Sequence, residues 1–262
     1  MFRYFGFGSN LNLTSLKAKG VLPISARKAV LHGWRLRFNV QHFFRHEGGV
    51  GNIEPSNNPS DQVFGIIYEC PDESLVPLDA VEAYGHGYDR ISVNIEVEGE
   101  LLPAFTYVGM PEFIDNNCLP CQRYLNILVS GAEAANLDPV YIEKLRAHPV
   151  LQQEEYPIFN HPEGVFPTFY AATLAEKPLY TAIHGAVFDM SEARPLHHYL
   201  KGFFGGRDMT LFHIKRLDIS NGRESINDLI KGQLNEAQLS YLNCYLNEYD
   251  REYQYVGRYL YE

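Results

Sequence analysis

The sequence predicts an α+β protein built as two domains, and three observations carry that expectation. Residues 62–70, 92–98 and 101–108 alternate or cluster β-branched and aromatic side chains as strands do. Residues 121–137 instead repeat apolar side chains at helical spacing, with Tyr124, Leu125, Ile127, Leu128 and Ala132 apolar. Beyond residue 148 the composition changes: Pro149, Pro157, Pro162 and Pro167 fall among acidic and aromatic residues, which is linker chemistry. The expected organisation is a domain over residues 1–148, a linker over 149–165 and a second domain over 166–262.

Taken in order, Tyr4-Phe5-Gly6-Phe7 opens the chain as a short buried strand that runs into the turn-forming tripeptide Gly8-Ser9-Asn10. Residues 13–19 suit one or two helical turns, and residues 29–40 alternate as a strand. Residues 46–53 are glycine-rich, as in a flexible loop or a backbone that approaches a ligand. After a turn at 56–60 and the strand at 62–70, residues 75–82 form a short helix. Its Leu75, Leu78 and Val81 share one face, leaving Asp79 and Glu82 together on another at i, i+3. Gly99 turns between the next two strands, and Asp138-Pro139 starts a helix ending near His148-Pro149. In the second half, residues 180–189 have strand character with a turn at His184-Gly185, and residues 202–207 read as a loop. Residues 236–249 are helical with Leu239, Leu242 and Leu246 on one stripe, and residues 253–259 close the chain as a strand.

The totals bound the function. A chain of 262 residues that is 45% hydrophobic and 21% charged has material for a sizeable core. It has no long apolar run and does not open on a basic region followed by an apolar stretch, so a soluble, cytoplasmic protein without a secretory signal is expected. The net charge of −10, with an acidic excess in both halves, argues against nucleic acid and anionic membrane as partners. Four cysteines do not make a disulfide framework.

Two stretches hold candidate chemistry. Successive N–H groups in a turn such as Gly8-Ser9-Asn10 form a concavity that suits an anion, although the same tripeptide serves as an ordinary strand-end turn. Glu82 precedes Ala83-Tyr84-Gly85-His86-Gly87-Tyr88, and a carboxylate set among aromatic side chains suits general acid or base work. His86 has no metal-ligand partner in the pattern and reads as structural. Cys118-Leu119-Pro120-Cys121 is a C-x-x-C without a second pair or a thioredoxin-like setting, so it reads as neither redox pair nor metal site.

Several of these motifs occur together, in the order found in the γ-glutamylcyclotransferase family, which the first 148 residues resemble. The likeness rests on residues 4–11, on glycine-rich residues 46–53, on residues 63–68, and on Leu78-Asp79-x-x-Glu82 with Tyr88. It continues through Thr106-Tyr107, Tyr124 with Gly131-Ala132, and Leu137-x-x-x-Tyr141-x-x-x-Leu145. It implies a mixed α/β barrel with helices outside and a reaction that needs no cofactor. It also implies that Glu82 handles the proton of a γ-glutamyl substrate's α-amine while the loop Phe7, Gly8, Ser9, Asn10 and Leu11 holds the γ-glutamyl moiety. Tyr88, Tyr107 and Tyr124 are the further substrate contacts it implies. The products would be 5-oxoproline and a released amino acid or amine. Phe7 departs from the family's usual tyrosine, and the loop is unlike that of the glutathione-specific branch, so the leaving group stays open.

The second half resembles the cytochrome-b5-like haem/steroid-binding fold, in its membrane-associated progesterone receptor branch. The carrying residues are Leu179-Tyr180-x-Ala182-Ile183-x-Gly185-x-Val187-Phe188-Asp189, then Phe204-Gly205-Gly206-Arg207-Asp208, then Asp228-Leu229, Leu234 and Tyr253-x-Tyr255-Val256-Gly257. The likeness implies a small α+β domain with a pocket for haem or another apolar ligand, or an interaction module. The His-Pro-Gly-Gly haem motif is absent. The likeness offers Tyr199 as the nearest candidate for a tyrosine ligand and Tyr253 as a pocket tyrosine, while His197 and His198 lie where ligands could be and His213 follows the Gly-Arg-Asp turn. Two function classes therefore stand: a γ-glutamylcyclotransferase with an appended ligand-binding domain, or a non-catalytic haem- or lipid-binding protein whose first domain is scaffold.

Overall fold

Strands that are apolar on both faces must be covered on both faces, and this requirement shapes the first half of the chain. A computed structural model describes residues 1–262, which divide by their contacts into two units. The first comprises Met1–His42 and Glu47–Gln153, and the second Phe43–His46 and Glu154–Glu262.

The first unit runs β1 (Phe2–Gly6), α1 (Leu13–Ala18), β2 (Ser25–His32), β3 (Trp34–Gln41), β4 (Gly49–Pro55), β5 (Gln62–Cys70), α2 (Leu75–Val81), β6 (Tyr88–Val97), β7 (Glu100–Gly109), α3 (Gln122–Ala134) and α4 (Pro139–Arg146). Five of its strands close a barrel in the order β1-β5-β2-β6-β7, while β3 and β4 pair as a separate hairpin. The barrel closes where β1 meets β7 in parallel, with Tyr4 opposite Phe105. Residues 29–40 are thus not one strand. A left-handed Gly33 (φ +75°) turns the chain between β2 and β3, and alternation alone does not show such a break.

Strand β5 shows why the barrel holds. Val63 and Ile67 join a cluster made almost wholly of strand residues, with Phe5, Leu31, Ile95 and Val97. Ile66, Tyr68 and Cys70 point the other way, into a cluster with Leu125, Leu128, Leu137, Tyr141 and Leu145 from α3, α4 and their connection. Each fully buried aliphatic or aromatic side chain contributes about 1.5–3 kcal/mol, so both faces are needed. Helix α3 comes so near the residue 11–12 backbone that a Cβ on Gly131 would lie 2.5 Å from the Asn12 nitrogen. Glycine at that position lets the helix seat the N-terminal loop.

The second unit continues with β8 (Thr168–Phe169), α5 (Ala171–Ala175), β9 (Tyr180–Ile183), β10 (Ala186–Asp189), α6 (His198–Phe204), β11 (Arg207–Asp208), α7 (Thr210–Ile214), α8 (Ile226–Ile230), α9 (Glu236–Glu252) and β12 (Gln254–Tyr259). Its sheet has the order β11-β9-β10-β12-β8. The β9–β10 hairpin turns at His184 and Gly185, both at positive φ. Residues 202–204, expected in a loop, finish α6, because Phe204 is a buried core residue of that helix. On α9 the buried stripe is Tyr241, Leu242, Tyr245, Leu246 and Tyr249, and Leu239 is exposed.

The unit's core includes a side chain from far upstream. Phe44, 1% exposed, stacks on Phe204 and Tyr249 at interplanar angles of 6° and 14°, and meets Tyr245 edge-on. Its neighbours hold it there: Arg45 N–H donates to Glu248 at 3.1 Å, and Arg194 donates to the Phe43 carbonyl at 3.0 Å. No helix of the protein is long and apolar enough to cross a membrane.

Two predictions arise here. Phe44→Ala removes a fully enclosed ring and should lower the stability of the second unit by about 3–5 kcal/mol in chemical denaturation. Asp208, half-buried and bonded to the Thr210 hydroxyl at 2.6 Å, has its pKa pushed up to about 6 by burial. The folded state therefore binds more protons than the unfolded state between the ordinary carboxylate range and pH 6, and stability falls as pH rises through that window. The second unit should lose on the order of 1–3 kcal/mol between about pH 4 and 6, and Asp208→Asn should flatten that slope in denaturation at stepped pH.

Candidate active site

Strand β1 ends at Gly6, and Phe7 and Gly8 lead into one 3-10 turn, Ser9–Leu11, closed by the Leu11 N–H on the Gly8 carbonyl at 2.9 Å. Asn12 then caps α1 by accepting from the Ser15 N–H. The turn buries Asn10, which is 3% exposed. Its Nδ2 donates to Glu82 Oε1 at 2.8 Å and to the Tyr4 hydroxyl at 2.6 Å. Its Oδ1 accepts from the Lys19 ammonium at 2.5 Å, and its carbonyl accepts from the Tyr68 hydroxyl at 2.7 Å. Every polar atom of the Asn10 side chain is therefore used.

Glu82 caps the end of α2, where its N–H still donates to the Leu78 carbonyl at 3.1 Å. Ala83 at φ +49° then takes the chain out of the helix. The i, i+3 pair expected on this helix divides its labour. Asp79 is committed to Arg90 at 3.3 Å and to the Tyr107 hydroxyl at 2.5 Å. Glu82, with only Asn10 against one oxygen and lone pairs to spare, is the carboxylate that reaches the cavity.

The cavity is lined by Tyr4, Phe7, Gly8, Ser9, Asn10, Gly51, Glu82, Tyr88, Tyr107 and Tyr124. Burial pushes the Tyr4, Tyr88 and Tyr107 hydroxyls well above their ordinary pKa and Tyr124 up to about 12, and the Glu82 charge adds to all four. At neutral pH they are uncharged O–H groups around one carboxylate. Tyr88 donates to the Gly51 carbonyl at 2.7 Å, and Tyr124 accepts from the Gly51 N–H at 2.9 Å and from the Ser9 N–H. The Tyr124 oxygen fits because a Cβ at Gly8 or Gly51 would stand only 2.9 or 2.8 Å from it. The Ser9 N–H, expected to face an anion, thus faces the Tyr124 oxygen. What the set can do is bind a polar group through the Tyr4 and Tyr124 hydroxyls beside one carboxylate.

Of the residues singled out in the sequence, Glu82, Phe7, Gly8, Ser9, Asn10, Tyr88, Tyr107 and Tyr124 come together here. Leu11 does not: it is 1% exposed in the core beneath α3, because the 3-10 turn rotates it inward. Tyr4 and Lys19 were missed. Tyr4 reads as a buried strand residue, and Lys19 reaches the site only because α1 folds back over the turn. The glycine-rich stretch signalled Gly51, which lies on β4 rather than in a loop. Cys118 and Cys121 are free thiols whose pKa values burial raises, Cys121 to about 12, with its Sγ 3.4 Å from Glu47. Neither supplies a thiolate at neutral pH.

The residues offered for haem do not fit it. His198 is exposed, and Tyr199 stacks on Phe43 and Phe203. His213 is bonded to the Tyr249 hydroxyl at 3.0 Å, and Tyr253 to His197 at 2.9 Å. Phe44 packs against both His197 and His213. No cluster of three or more His, Cys, Asp or Glu side chains is placed to hold a metal ion.

Residues 62–145 match the sequence profile of the AIG2-like family. The chain is similar to the γ-glutamyl cyclotransferase gliK of Claviceps purpurea (strain 20.1), 25% identical over 175 residues, covering 63% of this chain and 78% of that protein. It is similar to a γ-glutamylcyclotransferase of Homo sapiens, 28% identical over 151 residues, covering 56% of this chain and 78% of the relative. A solved structure of a γ-glutamyl cyclotransferase superposes with a TM-score of 0.52 at 24% identity, over 59% of this chain and 91% of that one. The structure of an uncharacterized Homo sapiens protein does so with a TM-score of 0.51 at 26% identity, over the same shares. These likenesses give the N-terminal region a fold like that of the solved γ-glutamyl cyclotransferase structure.

The packing of Tyr124 generates a prediction. Gly51→Ala should drive the Tyr124 hydroxyl out of the cavity, seen as a displaced ring in a crystal structure, and cost about 1–3 kcal/mol in chemical denaturation.

Proposed function

We propose that the protein is a γ-glutamylcyclotransferase-type enzyme: the α-amine of a γ-glutamyl amino acid or amine attacks its own γ-carbonyl, giving 5-oxoproline and a free amine. The observation that carries this reading is Glu82, held by Asn10 at 2.8 Å in a cavity otherwise lined by uncharged groups. The family likeness of the region that carries Glu82 supports it.

The chemistry asks little more of the protein. Glu82 takes a proton from the α-ammonium, whose freed lone pair forms the ring C–N bond to the γ-carbonyl carbon. The carbonyl π pair moves onto oxygen, where the Tyr4 and Tyr124 hydroxyls, which accept from Asn10 and from the Gly51 N–H and keep their own protons to donate, lower the energy of the tetrahedral intermediate. The second proton of the former ammonium passes by the same carboxylate to the leaving nitrogen as its C–N bond to carbon breaks. Two protons leave the α-nitrogen and two arrive on the departing amine, so no cofactor enters the balance. Ring closure is intramolecular, so holding the chain folded on itself supplies much of the rate. For the second unit, whose His213 and Tyr253 are bonded to Tyr249 and His197, no haem role is proposed.

The test is 5-oxoproline release from a panel of γ-glutamyl amino acids, γ-glutamylamines and glutathione. Wild type should turn over at least one class, and Glu82→Gln, which keeps an acceptor for Asn10, should lose about 10²–10⁴-fold in kcat. No release from any substrate would overturn the reading and favour a binding role for the chain.

A further inference from the structure

We propose that Lys19 is a positioning residue for Glu82, acting through the side chain of Asn10; the inference rests on the cyclotransferase reading of this cavity. Lys19 is the residue that ends α1, where the chain has folded back over the Ser9–Leu11 turn. Its half-buried side chain puts the ammonium 2.5 Å from Asn10 Oδ1 and 2.9 Å from Ser9 Oγ. A solvated lysine on a helix end would have no reason to reach two polar atoms of one buried turn.

The chemistry of the three groups leaves Asn10 a single orientation. An ammonium only donates, and a carboxylate only accepts. With Lys19 at one end and Glu82 Oε1 at the other, the amide must present Oδ1 to the first and Nδ2 to the second. Its remaining proton goes to the Tyr4 hydroxyl at 2.6 Å. The charge on Lys19 also polarises the amide, drawing density to Oδ1 and strengthening N–H donation to the Glu82 carboxylate. Glu82 is thereby held in one rotamer by a chain that starts on α1, passes through the turn and ends on the last turn of α2. The effect is on the geometry of proton transfer rather than on substrate contact, so it belongs in kcat more than in KM.

The experiment compares wild type, Lys19→Ala and Lys19→Arg. Lys19→Ala should lose about tenfold to hundredfold in kcat with KM within about threefold, the pattern of a lost transition-state effect. Lys19→Arg should recover most of the loss, because a guanidinium also only donates. Ethylammonium added to Lys19→Ala should restore activity saturably, which a merely structural defect would not allow. In parallel, 15N NMR should find the Asn10 side-chain amide protons in one bonded environment in wild type and Lys19→Arg, and displaced in Lys19→Ala. Wild-type kcat in Lys19→Ala overturns the proposal, as does a loss that neither arginine nor ethylammonium repairs. If wild type itself releases no 5-oxoproline, the cyclotransferase reading falls. The amide signals then decide separately: unchanged in Lys19→Ala, they overturn the hold on Asn10; displaced, they support it.

Discussion

Asn10 is the point at which the first unit's parts are bound to one another. Leaving one of its buried side-chain polar atoms without a partner would cost about 1–3 kcal/mol, and none is left so. Tyr68 of β5 holds its carbonyl, Tyr4 of β1 and Glu82 of the α2 end take its amide protons, and Lys19 caps its amide oxygen. The two elements that flank the turn, β1 and α1, and two distant ones, β5 and the α2 end, therefore meet at one residue. The barrel supplies the frame for this. Its parallel β1–β7 closure sets Tyr4 beside Tyr107, at a ring separation of 5.8 Å, above which α2 lays Glu82.

The cavity sets a single carboxylate among uncharged groups. The groups that line the cavity with Glu82 are tyrosines kept neutral by burial, backbone, and an amide. Asp79, three residues earlier on the same helix, is neutralised by Arg90 and spends its acceptor capacity on Tyr107. Two carboxylates of one short helix thus take opposite roles. One fixes a wall of the cavity, and the other keeps an oxygen available for chemistry.

The second unit solves a different problem. Its core is unusually aromatic, with Phe188, Phe204, Tyr245, Tyr249 and Tyr253 buried together, and rings of that size leave gaps unless a matching shape fills them. Phe44 is that shape. It is held by Glu248, which accepts from the Arg45 N–H, and by Arg194 and His197, which both contact the Phe43 carbonyl. Glu248 receives both Arg45 N–H and the Tyr156 hydroxyl, so the same buried carboxylate organises the segment and the start of residues 154–262.

Local pattern was enough for what depends on local physics. Strand β5, helix α3, the helix start at Asp138-Pro139 and the hairpin at Gly99 are each specified by periodicity, a cap or a turn residue acting over a few positions. The pairing of Gly8-Ser9-Asn10 with Glu82 came instead from the family resemblance, because each motif alone also reads as an ordinary turn or helix end. Other features needed the folded chain. Leu11 turned inward because a 3-10 turn, not an open loop, carries it, and Lys19 entered the site because α1 doubles back. Phe44 left its neighbours in sequence for a core assembled about 150–200 residues later. Those outcomes are set by contacts between segments distant in sequence, whose energy is summed only after the chain has closed, and no local spacing records them.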